Sequence, residues 1–350
     1  MLSYYEFGLR LVAQPFSTFE SEMLVNDREF NEVASTSNIY FIAQRQELFF
    51  WDIFLIQYHS EGYDIIAVSE GCSVSRTAPN KEHIDGPVDF SKCALRFQLK
   101  CGAEKSPELE IRCVNMFNDD LFNKYEFEVG VKLIRIWGIK SEGERTLVYW
   151  NTPDSFLWQF SQEKVEVYSE TQIDFDLTKF WDFKLLYIGI SKYANSYQRL
   201  LKKGHEKRQQ ILSREYPQSD GARVSDEITL FLFKLEETQI NTNLNPDEVY
   251  NALMGLDNQN KIPYADKIAD AEKAFVRTMQ TKYNLETYKS YPKSDDGLYN
   301  HDIESYSFTI NEDICFHTED IVITGSADGL GDRIIVGEIS EKGKSKRGGE

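Results

Sequence analysis

The strongest constraint on the fold is a succession of apolar, β-branched and aromatic runs through residues 1–150. They read NIYFIAQ, ELFFWDIFLIQYH, YDIIAVS, ALRFQLKC, ELEIRCVNMF and YEFEVGVKLIRIWGI. Val, Ile, Phe, Tyr and Trp suit the pleated, half-buried surface of a sheet, and turn residues separate the runs. In KYEFEVGVKLIRIWG, Phe127, Val129, Val131 and Leu133 share one parity and Glu126 and Glu128 the other. That alternation predicts an antiparallel β module with one wet face.

The pattern changes downstream. RTLVYWNTPDSFLWQFSQEKVEVYSETQIDFDLTKFW reads as short strands and loops, and from residue 181 strands alternate with helices. KLLYIGIS is a strand, residues 195–214 a helix, and EITLFLFKLE a strongly apolar strand. NPDEVYNALMGL starts a helix with Asn245 as N-cap and Pro246 at the first helical position. PYADKIADAEKAFVRTMQTKY is a further helix, and SYSFTI, DIVITG and RIIVGEIS return to strands. This predicts an α+β chain in three parts: a β-rich recognition or interaction domain over 1–155, an α/β domain over 156–290, and C-terminal β-hairpins with a polar tail over 291–350.

A chain of 350 residues with 41 % hydrophobic and 13 % aromatic content can bury a sizeable core. It contains no apolar window of about 18 residues, and its start lacks a basic stretch followed by an apolar one. The expectation is a cytoplasmic protein without a membrane partner. Five cysteines without C-x-x-C spacing point to reduced thiols, and five scattered histidines do not make a structural zinc site.

The formal charge of −18 argues against a polyanionic partner. The charge is uneven, however. Residues 192–224 carry 8 basic against 3 acidic residues, a net +5, while residues 1–150 carry 15 against 23 and residues 225–350 carry 13 against 24. The basic stretch contains Arg199, Lys202, Lys203 and Arg208, a cationic face suited to phosphate oxygens.

Three features follow one another on this segment: the strand end Tyr187-Ile188-Gly189, the basic helix with Arg199, and a helix carrying Glu272, followed by Tyr283-Asn284. Glu272 flanks an apolar stripe of Ile268, Ala271, Phe275 and Met279, where an ionised carboxylate needs a cation or a metal. Taken singly, each residue also has an ordinary structural reading: a half-buried sheet tyrosine, a solvated Arg, an outward-turned Glu, a packed His205.

In order and spacing, residues 165–290 resemble the GIY-YIG nuclease superfamily. The resemblance rests on LLYIGIS, QRLLKKGH, ITLFLF and AEKAFVRTMQTKYN. It implies a small three-stranded antiparallel sheet flanked by helices. It also implies Tyr187 as the YIG tyrosine, Arg199 as the phosphate-binding arginine, His205 as the helix histidine, and Glu272 as ligand of one Mg²⁺ or Mn²⁺. Lys202, Lys203, Arg208 and Asn284 would bind substrate, and DNA would be the partner of the 192–224 stretch. Tyr168 in VEVY is the candidate for the first-strand tyrosine. Six residues separate Arg199 from His205, about 120° apart around a helix, so the two converge only if Gly204 ends the helix. A nuclease joined to a recognition module suits a defence or restriction role. The alternative is a non-catalytic interaction protein on the same scaffold, its acidic β module facing a protein. Asp328 and Glu338 outline a second metal-site reading, with Ser340 where restriction-type sites carry Lys.

Overall fold

Three strands far apart in sequence form the centre of the largest sheet, and the candidate site is built where they meet. The computed structural model describes residues 2–60, 62–69, 92–112, 121–122, 124–161, 176–191, 196–202, 205–242, 262–301, 303 and 305–337. The chain opens with β1 (Leu2–Leu11), β2 (Phe16–Ser17) and β3 (Ile39–Gln44), with short helices Thr18–Leu24 and Arg28–Ala34 between the last two. Ser17 caps the first of these in a capping box with Glu20, and Asp27 caps the second.

An antiparallel sheet of five strands follows: β4 (Leu48–His59), β5 (Gly62–Ser69), β6 (Cys93–Cys101), β7 (Glu104–Lys105) and β8 (Leu109–Arg112). A sheet of three comes next: β9 (Lys124–Val129), β10 (Ile134–Ile139) and β11 (Arg145–Asn151). The run read as one strand, YEFEVGVKLIRIWGI, is a hairpin. Gly130 N–H donates to Leu133 O at 3.0 Å, and β9 folds back on β10. Alternation along one strand and across a tight hairpin look alike in sequence, because Val131 and Leu133 continue the parity through the turn.

The chain then returns with β12 (Asp182–Ile190), β13 (Ile228–Thr242), β14 (Ser305–Ile310), β15 (Cys315–His317), β16 (Val322–Thr324) and β17 (Ile334–Val336). These join the first strands in a nine-stranded sheet of order β16-β15-β12-β3-β13-β1-β14-β17, with β2 paired to β13. The fold is α+β and dominated by sheet. The expected boundary near residue 155 does not separate domains, since β1 and β3 pair with strands from beyond it. The expected small sheet of three strands is likewise part of this larger one. Hydrophobic pattern marks strands but not partners, so it cannot show that β3 and β12 enclose the two smaller sheets as an insertion.

Both faces of the central strands are covered, which is why all six residues of β3 are buried. On one face Phe41, Phe231 and Phe233 pack with Phe275 of the helix Tyr264–Met279; the Phe41 and Phe275 rings lie 5.6 Å apart. On the other, Tyr40, Ile42, Leu230 and Leu232 pack with Ile211 of the helix Glu206–Arg214. The helix expected over 195–214 is interrupted: Gln198–Lys202 forms one helical turn segment, and a separate helix starts after His205. The helix expected from Asn245 and Pro246 lies outside the described residues. Cys93, Cys101 and Cys315 are free thiols. No helix among the described residues is long and apolar enough to cross a membrane.

Candidate active site

A bulge in β12 creates the site's first piece. The register against β3 runs Leu185↔Ala43 and then Tyr187↔Ile42, so Leu186 is an extra residue. Leu186 and Tyr187 consequently both join the core on the face of Tyr40, and Ile188 resumes the opposite face. Gly189 lies opposite Tyr40 in the ladder. A Cβ on Gly189 would stand 2.5 Å from Tyr40 Oη and 2.8 Å from Tyr187 Cε1. The glycine is the space in which the two phenols meet, their rings 6.0 Å apart.

His205 completes a chain behind them. Extended backbone at His205 (φ −80°, ψ 111°) caps the helix Glu206–Arg214, its Nδ1 accepting from the Arg208 amide at 3.1 Å. Nε2 lies 2.8 Å from Tyr40 Oη. Burial first, then the charges of Arg199, Arg208 and Lys207, push the imidazole down to about 4. It is therefore neutral at pH 7, and with Nδ1 accepting, its proton resides on Nε2. His205 donates to Tyr40, whose ring lies 6.0 Å from that of Tyr187. Both phenols remain above the usual tyrosine range because burial dominates. His205 is only 8 % exposed, so it orients Tyr40 and does not itself face a substrate.

Arg199 is exposed, anchored by its Nη1 donating to Ile190 O at the end of β12, with its guanidinium 6.0 Å from the Tyr40 ring centre. The extended backbone at His205 removes the helical 120° separation, and Arg199 and His205 both reach Tyr40. Glu272 comes from the opposite side, on the helix Tyr264–Met279, and its charge raises the hydroxyls of Tyr40, Tyr187 and Tyr288.

Asn284 has a different task from the one its sequence position implies. Its side-chain amide accepts from Ile188 N–H at 2.9 Å and donates to Ile188 O at 2.8 Å, while Tyr283 N–H donates to Leu186 O. One side chain thus imitates a neighbouring strand along β12 and holds the Tyr187–Gly189 segment. Arg208 also turns inward, donating to Ser21 Oγ at 3.0 Å and Leu200 O at 3.4 Å. Lys202 belongs to the helical turn segment and Lys203 lies outside the described residues.

Tyr168 and Glu338 also lie outside the described residues. Asp328 shapes a turn, accepting from Ser326 Oγ and the Leu330 amide. The tyrosine opposite the Tyr187 segment is Tyr40, in a strand legible as NIYFIAQ but assigned to the β module. Only its Ile-Tyr pair at the start of an apolar run hinted at more.

Among the described residues no three His, Cys, Asp or Glu side chains form a group that could hold a metal. A Mg²⁺ that keeps most of its waters needs only one or two carboxylates. Glu272, half-buried and with its charge felt by both phenols, fits that smaller donor set. Comparison of the chain with family models, curated proteins and solved structures gives no match.

Proposed function

We propose that this protein is a divalent-metal-dependent endonuclease that hydrolyses DNA phosphodiester bonds through a GIY-YIG-like site. The observation that carries the reading is the meeting of Tyr40 and Tyr187, from adjacent antiparallel strands, with Arg199, His205 and the charge of Glu272. Asn38-Ile39-Tyr40 differs from Gly-Ile-Tyr at one residue, and Tyr187-Ile188-Gly189 matches the second tripeptide. On this reading β3, β12 and β13 are the nuclease's three antiparallel strands, and the two smaller sheets are an insertion between the first two. Tyr40, not Tyr168, is then the first-strand tyrosine.

Glu272 would hold Mg²⁺ or Mn²⁺, which when bound supplies Lewis-acid stabilisation of the phosphate and the leaving oxygen. Arg199 binds a non-bridging phosphate oxygen and offsets the charge that grows there as water attacks. Tyr187 orients the attacking water, its ring 6.0 Å from that of Tyr40 on the adjacent strand. His205 and Tyr40 fix that orientation from behind. The insertion supplies a recognition surface suited to a defence or restriction role, and the net −8 of residues 1–150 favours a protein partner there over DNA.

Nicking of supercoiled plasmid with Mg²⁺ or Mn²⁺ tests the proposal. Wild type is expected to cut, and Glu272→Ala to cut about a hundredfold more slowly or less, a loss of several kcal/mol of transition-state stabilisation. No cleavage by wild type on varied DNA substrates, or equal cleavage by the variant, refutes it.

A further inference from the structure

The helix that carries Glu272 also fastens a loop beside it. Asp266, Asp270 and Lys273 follow one another at spacings of four and three, on one helix face. Asp266 pairs with His301 at 3.0 Å. Asp270, fully buried, accepts from Tyr291 Oη at 2.7 Å and from the Leu298 amide at 3.0 Å. Gly297 (φ +122°) lets the backbone press against that carboxylate, where a Cβ would come within 2.6 Å of Oδ1. Lys273 donates to both the backbone carbonyl and the carboxylate of Asp296.

The loop so held, residues 285–300, walls an open cavity of about 1110 Å³. Among its lining residues Tyr288 is half-buried and kept in left-handed backbone (φ +45°), a strain that the packing around it must sustain. Lys273, the residue after Glu272 on the helix Tyr264–Met279, also lines the cavity, so the cavity lies beside the helix turn that carries Glu272. Tyr299 lines it too and is 48 % exposed. Lys289 and Lys293 also line it, with the acidic Glu286, Asp295 and Asp296.

We propose that this groove receives an unpaired DNA strand leading away from the reacting phosphate. The inference rests on the nuclease reading of the adjoining cluster and adds the form of the substrate. A concave groove edged by an aromatic ring suits bases whose faces are free, and bases in a duplex already have theirs covered. Two lysines meet the backbone phosphates. With three acidic side chains also present, binding depends more on stacking than on counterion release. Two phosphate contacts predict a slope of log K against log salt of about −1.4 for a single strand.

Fluorescence anisotropy on the full chain carrying Glu272→Ala, in EDTA, measures binding without cleavage, with labelled dT10 and a ten-base-pair duplex as probes. dT10 is expected to bind more tightly than the duplex. Tyr299→Ala should weaken dT10 binding about tenfold, the scale of one stacked base. Lys289→Ala with Lys293→Ala should flatten the salt slope. Both are surface changes, so unchanged melting temperatures keep the comparison valid. Preference for the duplex, or dT10 affinity unaltered by Tyr299→Ala and the lysine pair, overturns the groove assignment even if wild type cuts plasmid. Absence of cleavage by wild type with intact dT10 binding in the groove would instead sink the nuclease reading alone.

Discussion

Replacing Tyr40 with Phe removes a single oxygen from the centre of the cluster and leaves the ring packing in place. The side chain is fully buried, with ring centres 6.0 Å from Tyr187 and 5.4 Å from His205, and a Phe ring fills the same space. What is lost is the acceptor 2.8 Å from His205 Nε2. Because Nδ1 accepts from the Arg208 amide, the imidazole cannot move its proton there without breaking the helix cap. The variant therefore buries an N–H donor without a partner, at a cost of about 1–3 kcal/mol. Urea denaturation should show that loss. Cleavage should fall by about 10²–10⁴-fold, the scale of a group that positions proton transfer, since the Tyr40 hydroxyl links the cluster to His205 beside Tyr187. His205→Ala, made alone and together with Tyr40→Phe, closes a double-mutant cycle with an expected coupling of about 1 kcal/mol. A stability change below about 0.5 kcal/mol, the usual effect of a surface substitution, combined with unchanged cleavage would refute the hydrogen-bonded chain.

Gly189→Ala should separate Tyr40 from Tyr187, destabilise the fold by about 1–3 kcal/mol through overpacking, and abolish cleavage; a variant that cuts normally contradicts the close approach. Asn284→Ala should expose the Ile188 backbone and erase hydrogen-exchange protection of its amide, and retained protection would show that another group pairs this edge. His205 has a folded-state value of about 4, below its ordinary one of about 6.5. Its contribution is complete above pH 6.5 and lost as pH falls from there to 4, up to a total on the order of 3 kcal/mol. Glu20 and Glu312, both pushed up to about 7 by burial, act in the opposite sense, so the acid-side slope must be compared with that of His205→Gln, where it should flatten. An identical slope in that variant excludes His205 as its source.

Local pattern was enough for the pieces that are contiguous. The YIG strand, the apolar strand after it and the amphipathic helix with Glu272 each stand where their pattern predicts, because burial on both faces makes the strands continuous apolar runs and burial of one face gives the helix its period of 3.6. Arg199 and His205 were legible as neighbours. Their different roles were not, since the change from helix to cap occurs between them. Asn284 misled because an amide suited to substrate is equally suited to a strand edge.

The sequence by itself determined an α+β chain with a basic segment beside YIG and an acidic remainder, and it marked Tyr187, Arg199, His205 and Glu272 as one set. Only the tertiary structure supplied Tyr40, whose partner His205 lies 165 residues away, and the loop that opens a groove beside Glu272. Strand pairing decides both. The backbone hydrogen bonds that bring β3 against β12 across two intervening sheets are common to every strand and leave no mark on the identity of the residues they join.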